Sequence, residues 1–272
     1  MDVINTIAVS IITFNEEIHL ERLLKNVISF ADEIVIIDSY SKDGTLEIAK
    51  KYNCKIVHRK FDDFSSQRNF ALQPSHYQSN WILILDADEY LTDELIEELN
   101  SKIRFGHPEF DGVYLNRRFV FNDVWLKKMY YPMYLLRVCR VGLVKCEQRV
   151  VNEHLFLSSE KSVRFQNDFI DHNLADFDKW LNKHIKYADF ESDLLLAKPK
   201  SLSLRDFKSR LKFIYYLIPG RVRPIAYFFY LVIIKMGFLD GPQAIRYALQ
   251  DCLIYRYIIQ FKYEQKNKHT SN

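Results

Sequence analysis

Runs of apolar residues alternate with helically spaced apolar positions through the first hundred residues of the chain. Residues 7–14 form a β-branched apolar run, and residues 17–30 carry apolar side chains at the three- and four-residue spacing of a helix face. The same pairing recurs at 33–38 with 45–52, at 54–58 with 65–72 and at 81–85 with 92–103. Strands that alternate with helices predict right-handed crossovers and a parallel sheet covered on both faces.

The pattern changes after residue 112. Strand-like runs at 113–121, 133–141 and 149–155 follow one another without clear helices between them, which predicts an antiparallel or mixed extension of the sheet. Residues 176–196 again have helical spacing. The sequence as a whole therefore predicts an α/β fold with a helical C-terminal extension.

Two carboxylates, Asp86 and Asp88, directly follow the apolar run 81–85. In open α/β sheets, ligands bind beyond the carboxyl ends of the strands, so this pair is expected at the edge of a binding cleft. Two carboxylates can hold one Mg²⁺ or Mn²⁺ ion, which leaves positions for substrate phosphates. Acidic residues also end strands as turn or helix-cap residues, so the pair alone does not decide the function.

The glycines of the chain exclude two common kinds of phosphate-binding site. There are seven, and the first is Gly44, so the first strand-to-helix turn has neither a GxGxxG motif nor a Walker A loop. An ordinary nicotinamide-binding domain and a P-loop are therefore excluded. A bound diphosphate would be neutralised by a metal and by side chains.

Composition narrows the class of protein further. A chain of 272 residues with 48% hydrophobic residues is not a disordered protein, and it can hold one α/β domain with an appended segment. Four cysteines without CxxC or zinc spacing predict reduced, packed thiols. We find no signal-peptide pattern at the start of the sequence, and we expect the protein to work on the cytoplasmic side.

Four motifs occur in order along the first half of the chain. They are Thr13-Phe14-Asn15-Glu16-Glu17, the Asp-Ser-x-Ser-x-Asp-Gly-Thr of residues 38–45, Gln67-Arg68-Asn69 and Leu85-Asp86-Ala87-Asp88-Glu89. As a set they resemble the family 2 inverting glycosyltransferases of GT-A fold, and most of all the bacterial subgroup that builds lipopolysaccharide core or other surface glycans. The resemblance covers roughly residues 7–155.

The resemblance implies a GT-A fold, that is, a Rossmann-like and mostly parallel sheet with flanking helices. We expect a catalytic domain over residues 1–175, with a nucleotide-binding half at about 1–104 and an acceptor half at about 105–175. Residues 176–272 would form the helical extension.

The family resemblance also implies roles for individual residues. The nucleotide would be bound by Thr13, Asn15, Glu16, Asp38, Arg68 and Asp86. Asp88 would be the direct ligand of Mg²⁺ or Mn²⁺, with Asp86 near both the ribose and the metal. Two alternatives stay open, namely that Asp38 only caps the turn into the second helix and that Arg68 is a surface helical arginine.

An inverting transfer needs a carboxylate that removes the proton of the acceptor hydroxyl. Members of the subgroup carry a His-Glu pair in which the glutamate is the base, and Glu153 matches that position. Here Asn152 precedes the glutamate and His154 follows it, which is a departure from the pattern. A solvated glutamate at a strand end is the alternative, and Asp123 and Asp171 are further candidate bases.

Three more side chains are candidate contacts to the acceptor or to phosphate, namely Arg137, His154 and His172. Arg137 stands where the subgroup has an arginine ahead of the base motif, and a structural ion pair is an equal alternative for it. His172 follows Asp171 directly and is a candidate contact to the diphosphate or the metal.

The end of the chain is basic and aromatic. Residues 201–272 have 12 Lys and Arg against 4 Asp and Glu, and fourteen aromatic residues lie within 201–263. The longest uncharged run there, at 224–234, is eleven residues, short of the roughly 18 or more that a membrane-spanning helix needs. Short amphipathic helices on the inner face of the membrane fit this pattern, and a helical subdomain that packs on the core is the alternative.

The leading hypothesis is an inverting, metal-dependent hexosyltransferase. It would use a nucleotide diphosphate sugar, expected to be a UDP-sugar, and a glycan or lipid-linked acceptor in surface polysaccharide or lipopolysaccharide synthesis. A sugar-nucleotide-forming nucleotidyltransferase and a non-catalytic glycan-binding scaffold are the alternatives. No nucleic-acid recognition module is present in the sequence, so nucleic acid is not an expected partner.

Overall fold

The computed structural model describes residues 4–147, 154–196 and 218–270. These residues form two compact units. The first comprises residues 4–125, 130–147 and 154–174, and the second comprises residues 126–129, 175–196 and 218–270. The assignment of catalysis to 1–175 and of a separate role to 176–272 stays a prediction.

The first unit contains eleven strands among its described residues. They are β1 (Ile7–Thr13), β2 (Glu33–Asp38), β3 (Lys55–His58), β4 (Trp81–Asp86), β5 (Glu89–Leu91), β6 (Gly112–Phe121), β7 (Val124–Trp125), β8 (Tyr134–Arg140), β9 (Val144–Cys146), β10 (Leu155–Leu157) and β11 (Ser162–His172). The helices of its first half are α1 (Glu17–Val27), α2 (Thr45–Lys51), α3 (Phe64–Ala71) and α4 (Asp93–Leu99), and a π-helical turn, Asn100–Arg104, continues α4.

The main sheet has the strand order β3-β2-β1-β4-β8-β6-β11-β5, with β7 paired to β6, and β9 and β10 form a separate two-stranded ribbon. The first four strands are parallel, β8 is antiparallel to both β4 and β6, and β11 runs parallel to β6. The α/β class, the parallel sheet of the first half and the mixed extension of the second are confirmed.

The apolar composition of the parallel strands and the buried face of α1 account for the fold of the first half of the unit. Strands buried on both faces are nearly continuous apolar runs, and β1, β2 and β4 have that composition. Helix α1 buries Leu20, Leu23, Leu24 and Val27, spaced as one helix face, against this sheet. Full burial of each such side chain stabilises the fold by about 1.5–3 kcal/mol.

Strand β5 lies at the far end of the strand order, yet it follows β4 almost directly in sequence. Only Ala87 and Asp88 separate the two strands in sequence, and β8, β6 and β11 lie between them in the sheet. The sheet is therefore curled. On the outer side of β5, the amide of Asn26 in α1 donates to the carbonyl of Leu91 at 3.0 Å and accepts from its N–H at 2.8 Å.

Four strands were not predicted, namely β5, β7, β9 and β11. Residues 149–153 of the predicted run 149–155 lie outside the described residues, and Leu155 begins β10. Strands β5, β7 and β9 have only two or three residues each. In β11 the exposure does not alternate regularly, and the register shifts between Arg164 and Asp168. None of the four has the sustained period-two pattern that identifies a strand in a sequence.

The second unit is helical in its described residues. Helix α5 (Lys127–Tyr130) starts in it, and α6 (Phe177–Leu196), α7 (Arg223–Phe229), α8 (Pro242–Ala248) and α9 (Arg256–Thr270) follow. Two π-helical turns, Tyr230–Ile234 and Leu249–Tyr255, extend α7 and α8, and a 3-10 helix, Gly237–Asp240, lies between them. Within the described ranges, every helix is too short or too polar to cross a bilayer.

Candidate functional site

The carboxyl end of β4 carries Asp86 between two arginines. Nη2 of Arg68, on α3, lies 3.0 Å from Oδ1 of Asp86, and Nη2 of Arg137, on β8, lies 3.4 Å from Oδ2. The Asp86 side chain remains 39% exposed. Burial acts to raise the pKa of Asp86, but the charges and hydrogen bonds of the two arginines outweigh it and hold the pKa well below its usual range.

Glu89 is the buried counter-charge of Arg137. Its Oε1 accepts from Nη2 of Arg137, and its Oε2 accepts from the backbone N–H of Asp86 at 2.9 Å. Burial raises the pKa of Glu89, against the opposing charge of Arg137. Arg137 thus forms the structural ion pair that was one of its two expected roles. The other role, contact with the acceptor or with phosphate, stays a prediction.

Backbone contacts hold Asp88 in place. Its carbonyl oxygen accepts from Nη2 of Arg22 at 3.1 Å and from the backbone N–H of His172 at 3.0 Å. Its carboxylate accepts from the side-chain amide of Asn173 at 2.8 Å. The same Nη2 of Arg22 donates to the carbonyl of His172 at 2.5 Å. One guanidinium on α1 therefore joins the turn after β4 to the end of β11.

The end of β11 brings two further candidates to this place. Asp171 pairs with Arg117 at 3.1 Å. Burial and the neighbouring charge of Asp88 raise the pKa of Asp171 to about 7, although Arg117 acts in the opposite direction. Nε2 of His172 lies 3.3 Å from the exposed carboxylate of Asp123, and burial and Arg22 lower the pKa of this histidine.

The ends of β1 and β2 form a second part of the site. Asp38 is fully buried. Its carboxylate accepts from the hydroxyl of Thr13 at 3.0 Å, from the hydroxyl of Ser41 at 2.5 Å and from the backbone N–H of Ser41 at 2.9 Å. Asp38 therefore caps the turn that leads to α2, which was the alternative role for this residue. Contact between Asp38 and a nucleotide base stays a prediction.

Two residues after these strands adopt left-handed backbone conformations. Asn15 has φ 57° and Tyr40 has φ 61°. Such conformations are costly for residues other than glycine, and they concentrate at functional sites. The side-chain oxygen of Asn15 accepts from the backbone N–H of Lys42 at 2.8 Å, and the backbone N–H of Asn15 donates to the hydroxyl of Ser41 at 2.9 Å. These bonds hold the turn after β1 against the turn after β2.

Glu16 is connected to the end of β11 through a buried histidine. Nδ1 of His19 lies 2.7 Å from the Glu16 carboxylate, and Nε2 of His19 accepts from the backbone N–H of Leu174 at 2.9 Å. Because Nε2 is an acceptor, the proton of the neutral ring is on Nδ1, and it is donated to Glu16.

Sequence reasoning missed Arg22, His19 and the role of Glu89. The contacts that connect them to other strands are made to partners 48 to 155 residues away in sequence, so no local pattern identifies these contacts. The helical spacing of His19 and Arg22, which places them on the same face of α1, is the one weak signal.

The described side chains do not by themselves complete a metal site. Among the described residues, no group of three or more His, Cys, Asp or Glu side chains is arranged to hold a metal ion. Mg²⁺ is usually bound through one or two carboxylates together with substrate phosphates. Asp86 and Asp88 therefore fit an ion whose remaining ligands come from a bound diphosphate.

The predicted base Glu153 lies outside the described residues, and its role stays a prediction. His154 is exposed, and its carbonyl accepts from the N–H of Glu147 at 2.9 Å, directly beyond the paired ends of β9 and β10. No contact between His154 and the carboxylates at β4 is present in the described part of the chain. None of the four cysteines is in a disulfide within the described residues.

The family model described as glycosyl transferase family 2 matches residues 8–172. An uncharacterized glycosyltransferase of Rickettsia bellii (strain RML369-C) is 38% identical over 93 residues, which are 34% of this chain and 31% of the relative. Glycosyltransferase SunS of Bacillus phage SPbeta is 35% identical over 92 residues, 33% of this chain and 21% of the relative. The aligned parts thus span about a third or less of these relatives.

Solved structures with similar chain traces include the following two. S. aureus TarS 1-349 in complex with UDP has a TM-score of 0.48 at 13% identity, over 97% of this chain and 92% of that chain. Glucosyl-3-phosphoglycerate synthase from Mycobacterium tuberculosis, in complex with Mn²⁺, UDP-glucose and phosphoglyceric acid, has a TM-score of 0.36 at 18% identity, over 42% and 44% of the two chains.

Proposed function

Because the chain belongs to glycosyltransferase family 2, we propose that it is an inverting, metal-dependent hexosyltransferase. Its donor is a nucleotide diphosphate sugar, in our proposal a UDP-sugar, and its acceptor is a glycan or a lipid-linked glycan. The observation that carries the proposal is the position of Asp86 and Asp88 at one strand end, with Arg68 and Arg137 beside Asp86.

The donor half of the reaction uses the ends of β1, β2 and β4. Asp38 and Thr13 form a buried hydrogen-bonded pair, and a carboxylate there can accept from a base N–H or a ribose hydroxyl. The Asn15 and Glu16 turn forms one side of the nucleotide site. Arg68, already beside Asp86, is close enough to the same strand end to face the diphosphate.

Asp88 is the direct metal ligand in this proposal, and Asp86 lies near both the metal and the ribose. A bound Mg²⁺ or Mn²⁺ would stabilise the charge that grows on the leaving diphosphate. The protein's own contribution is to hold the two carboxylates. The arginines keep Asp86 ionised, and the contacts to Arg22, His172 and Asn173 fix Asp88.

The chemical step is a single displacement. Glu153 takes the proton of the acceptor hydroxyl while that oxygen forms a bond to C1 of the sugar. The bond from C1 to the diphosphate oxygen breaks on the opposite face, and the nucleoside diphosphate leaves with the bonding electrons. The configuration at C1 is inverted, and no covalent enzyme intermediate forms.

Donor hydrolysis and transfer, measured over a panel of nucleotide sugars with Mn²⁺, with Mg²⁺ and with EDTA, test this function. We expect nucleoside diphosphate release from at least one donor, and loss of that release in EDTA. A nucleotidyltransferase would instead release pyrophosphate from a nucleoside triphosphate and a sugar 1-phosphate, and a glycan-binding scaffold would release neither product. Either outcome would reject the proposal.

Asp88→Asn tests the metal ligand. The amide keeps the size of the side chain but removes its charge, so we expect metal-dependent turnover to fall by about a hundredfold or more. Asp93→Asn, at the exposed start of α4, makes the same chemical change away from the site and should match the wild type. Comparable turnover in both variants would exclude Asp88 as the ligand.

Glu153→Gln tests the base. Because donor binding does not need the base, we expect nucleotide affinity to be nearly unchanged while transfer falls by orders of magnitude, roughly the 10²–10⁴-fold that general-base catalysis contributes. Glu160→Gln, on an exposed turn before β11, is the matched control. Near-normal transfer by Glu153→Gln would redirect the assignment to Asp171 or Asp123.

The cellular setting is also part of the proposal. Exposed apolar side chains and a net positive charge in the C-terminal part favour peripheral contact with an anionic membrane surface, at its cytoplasmic face. An acceptor in surface polysaccharide or lipopolysaccharide synthesis fits this setting.

A further inference from the structure

A groove of about 1010 Å³ lies in the first unit, between α3 and the β9–β10 ribbon. We refer to it as the α3–ribbon groove. Its volume is at the upper end of the range for small-molecule sites. It is lined by Arg59, Asp63, Ser65, Ser66, Asn69, Phe70, Gln73, Lys145, Cys146, Glu147 and Phe156. None of the residues to which the family resemblance gives a role lines it.

The ribbon side of the groove presents an aromatic ring that the fold does not use for its core. On β10, Leu155 and Leu157 pack against a buried apolar cluster that includes Ile82 and Leu136. Phe156 points the other way and is 47% exposed. Lys145, its direct partner across the ribbon, is exposed on the same face. An exposed phenylalanine in a concave site is a ready surface for an apolar face of a ligand.

The helix side of the groove presents hydroxyl and amide groups. Ser65, Ser66 and Asn69 lie at spacings that place them on one side of α3, and Gln73 follows shortly after the helix ends. The two hydroxyls donate to Asp63 at 2.8 and 2.7 Å, so their oxygens can still accept hydrogen bonds. Gln73 is exposed, and its amide offers both donors and an acceptor.

The two sides of the groove are fixed to each other. The side-chain amide of Asn69 donates to the carbonyl of Cys146 at 3.0 Å and accepts from its N–H at 2.9 Å. This pair of hydrogen bonds replaces a strand partner for the edge of β9. The groove is therefore formed before a ligand binds, which lowers the entropy cost of binding.

The charges in the groove favour a neutral ligand. The lining has two positive side chains, Arg59 and Lys145, and two negative ones, Asp63 and Glu147, so its formal charges cancel. Arg59 is already paired with Asp62 at 2.6 Å. A polyanion would gain little here. A sugar ring suits the lining better because its C–H face can pack on an aromatic ring while its hydroxyls bond to amides and hydroxyls.

Helix α3, which forms one side of the groove, also contacts the carboxylate at the end of β4. Arg68, the residue before Asn69 on α3, pairs with Asp86 at 3.0 Å. The ribbon strand β9 leads into residues 148–153, which include the predicted base. We propose that the α3–ribbon groove binds a neutral saccharide unit of the acceptor, with one sugar ring on Phe156. This inference rests on the proposed glycosyltransferase function.

Saturation-transfer NMR with a panel of methyl glycosides, in the presence of UDP and Mn²⁺, tests the groove. We expect the wild-type protein to transfer saturation to at least one glycoside, and Phe156→Ala to weaken that binding by roughly fivefold to tenfold, the loss of one ring contact. Gln73→Ala, on the opposite side of the groove, should weaken it as well. Phe105→Ala removes a ring that is 65% exposed elsewhere and should bind as the wild type does.

UDP binding, measured for each variant, reports whether the protein is folded and competent for the donor. If the wild type binds UDP and no glycoside, or if Phe156→Ala and Gln73→Ala both bind glycoside as the wild type does, the groove is not an acceptor site. A failure of the proposed function is distinguishable, because the wild type would then neither bind UDP nor hydrolyse any nucleotide sugar.

Discussion

At the scale of single residues, Arg22 is the clearest example of a side chain that acts through others. It bonds to the carbonyls of Asp88 and His172 and also lies over the ring of Tyr90, 4.8 Å from its centroid. Its contact with Asp88 is to the backbone carbonyl, and its Nη1 also lies 3.4 Å from Nδ1 of His172. In our proposal its effect on the reaction is therefore to fix where the Asp88 carboxylate points. Groups that orient a metal ligand in this way commonly matter nearly as much as the ligand.

Arg22→Lys tests this positioning. A lysine keeps the positive charge, but its single ammonium group cannot reproduce the planar contacts to both carbonyls. We expect the Mn²⁺ concentration for half-maximal activity to rise by about tenfold, which is within the range for residues that orient metal ligands.

Arg104→Lys is the matched control because Arg104 also forms a two-bond contact, with Asp32 at 2.8 and 2.9 Å, on the other side of the unit. Equal metal activation in the two variants would mean that Arg22 has a purely structural role. Thermal unfolding of both variants separates that outcome from a loss of folding.

The residues of the site were predictable to the extent that their signals are local. Asp86 and Arg68 belong to short motifs, and the structure brings them to 3.0 Å from each other. Glu89 stands inside the same motif, but its function depends on Arg137, which is 48 residues away. Such a pairing appears only when β8 is known to lie beside β4, and that is a property of the sheet.

At the scale of elements, the Glu89–Arg137 ion pair ties the short strand β5 to β8. Three residues make a weak strand, and β5 has one sheet neighbour, β11. The buried ion pair and the Asn26 amide therefore supply contacts that the ladder of β5 lacks. The pair also anchors the chain directly after Asp88.

Glu89→Gln should destabilise the fold by about 3 kcal/mol, because it leaves Arg137 buried beside a neutral group. The free energy of unfolding in urea measures this. Lys51→Met, which breaks the exposed pair with Glu21 at 2.8 Å, should cost less than about 1 kcal/mol. A loss for Glu89→Gln no larger than that of the control would show that Asp86 alone compensates Arg137.

The elements were predictable where they are long and regular. Strands β1, β2 and β4 are apolar runs of six or seven residues, and α1 has a clear buried face, so pattern and structure agree. Strand β11 could not be predicted in this way because its register shift near residues 164–168 interrupts the alternation of its side chains. Long-range pairing with β6 decides its conformation.

At the scale of the whole molecule, the two units have different surfaces. In the described part of the second unit, large exposed apolar side chains gather between residues 222 and 239. They are Val222, Ile225, Phe229, Tyr230, Ile233, Ile234, Met236, Phe238 and Leu239. An exposed apolar patch next to basic residues is typical of a surface that binds a partner or a membrane.

Co-sedimentation of the full chain with phosphatidylglycerol vesicles tests the membrane proposal. We expect binding at low salt and release as salt increases, since screening weakens the attraction of the basic residues to the lipid. Ile234→Ser should lower the bound fraction because Ile234 is 71% exposed. Ile4→Ser, in the first unit and 61% exposed, is the matched control. Absence of binding at low salt would contradict the proposal.

The contact between Asn26 and Leu91 has a consequence for how the sheet meets other molecules. A strand with unpaired N–H and C=O groups can pair with another chain and start aggregation. At one end of the sheet, the Asn26 amide occupies both polar groups of Leu91. At the other end, β3 is only four residues long and carries exposed Lys55 and His58. Neither edge of this eight-strand path therefore offers a long, flat template for self-association.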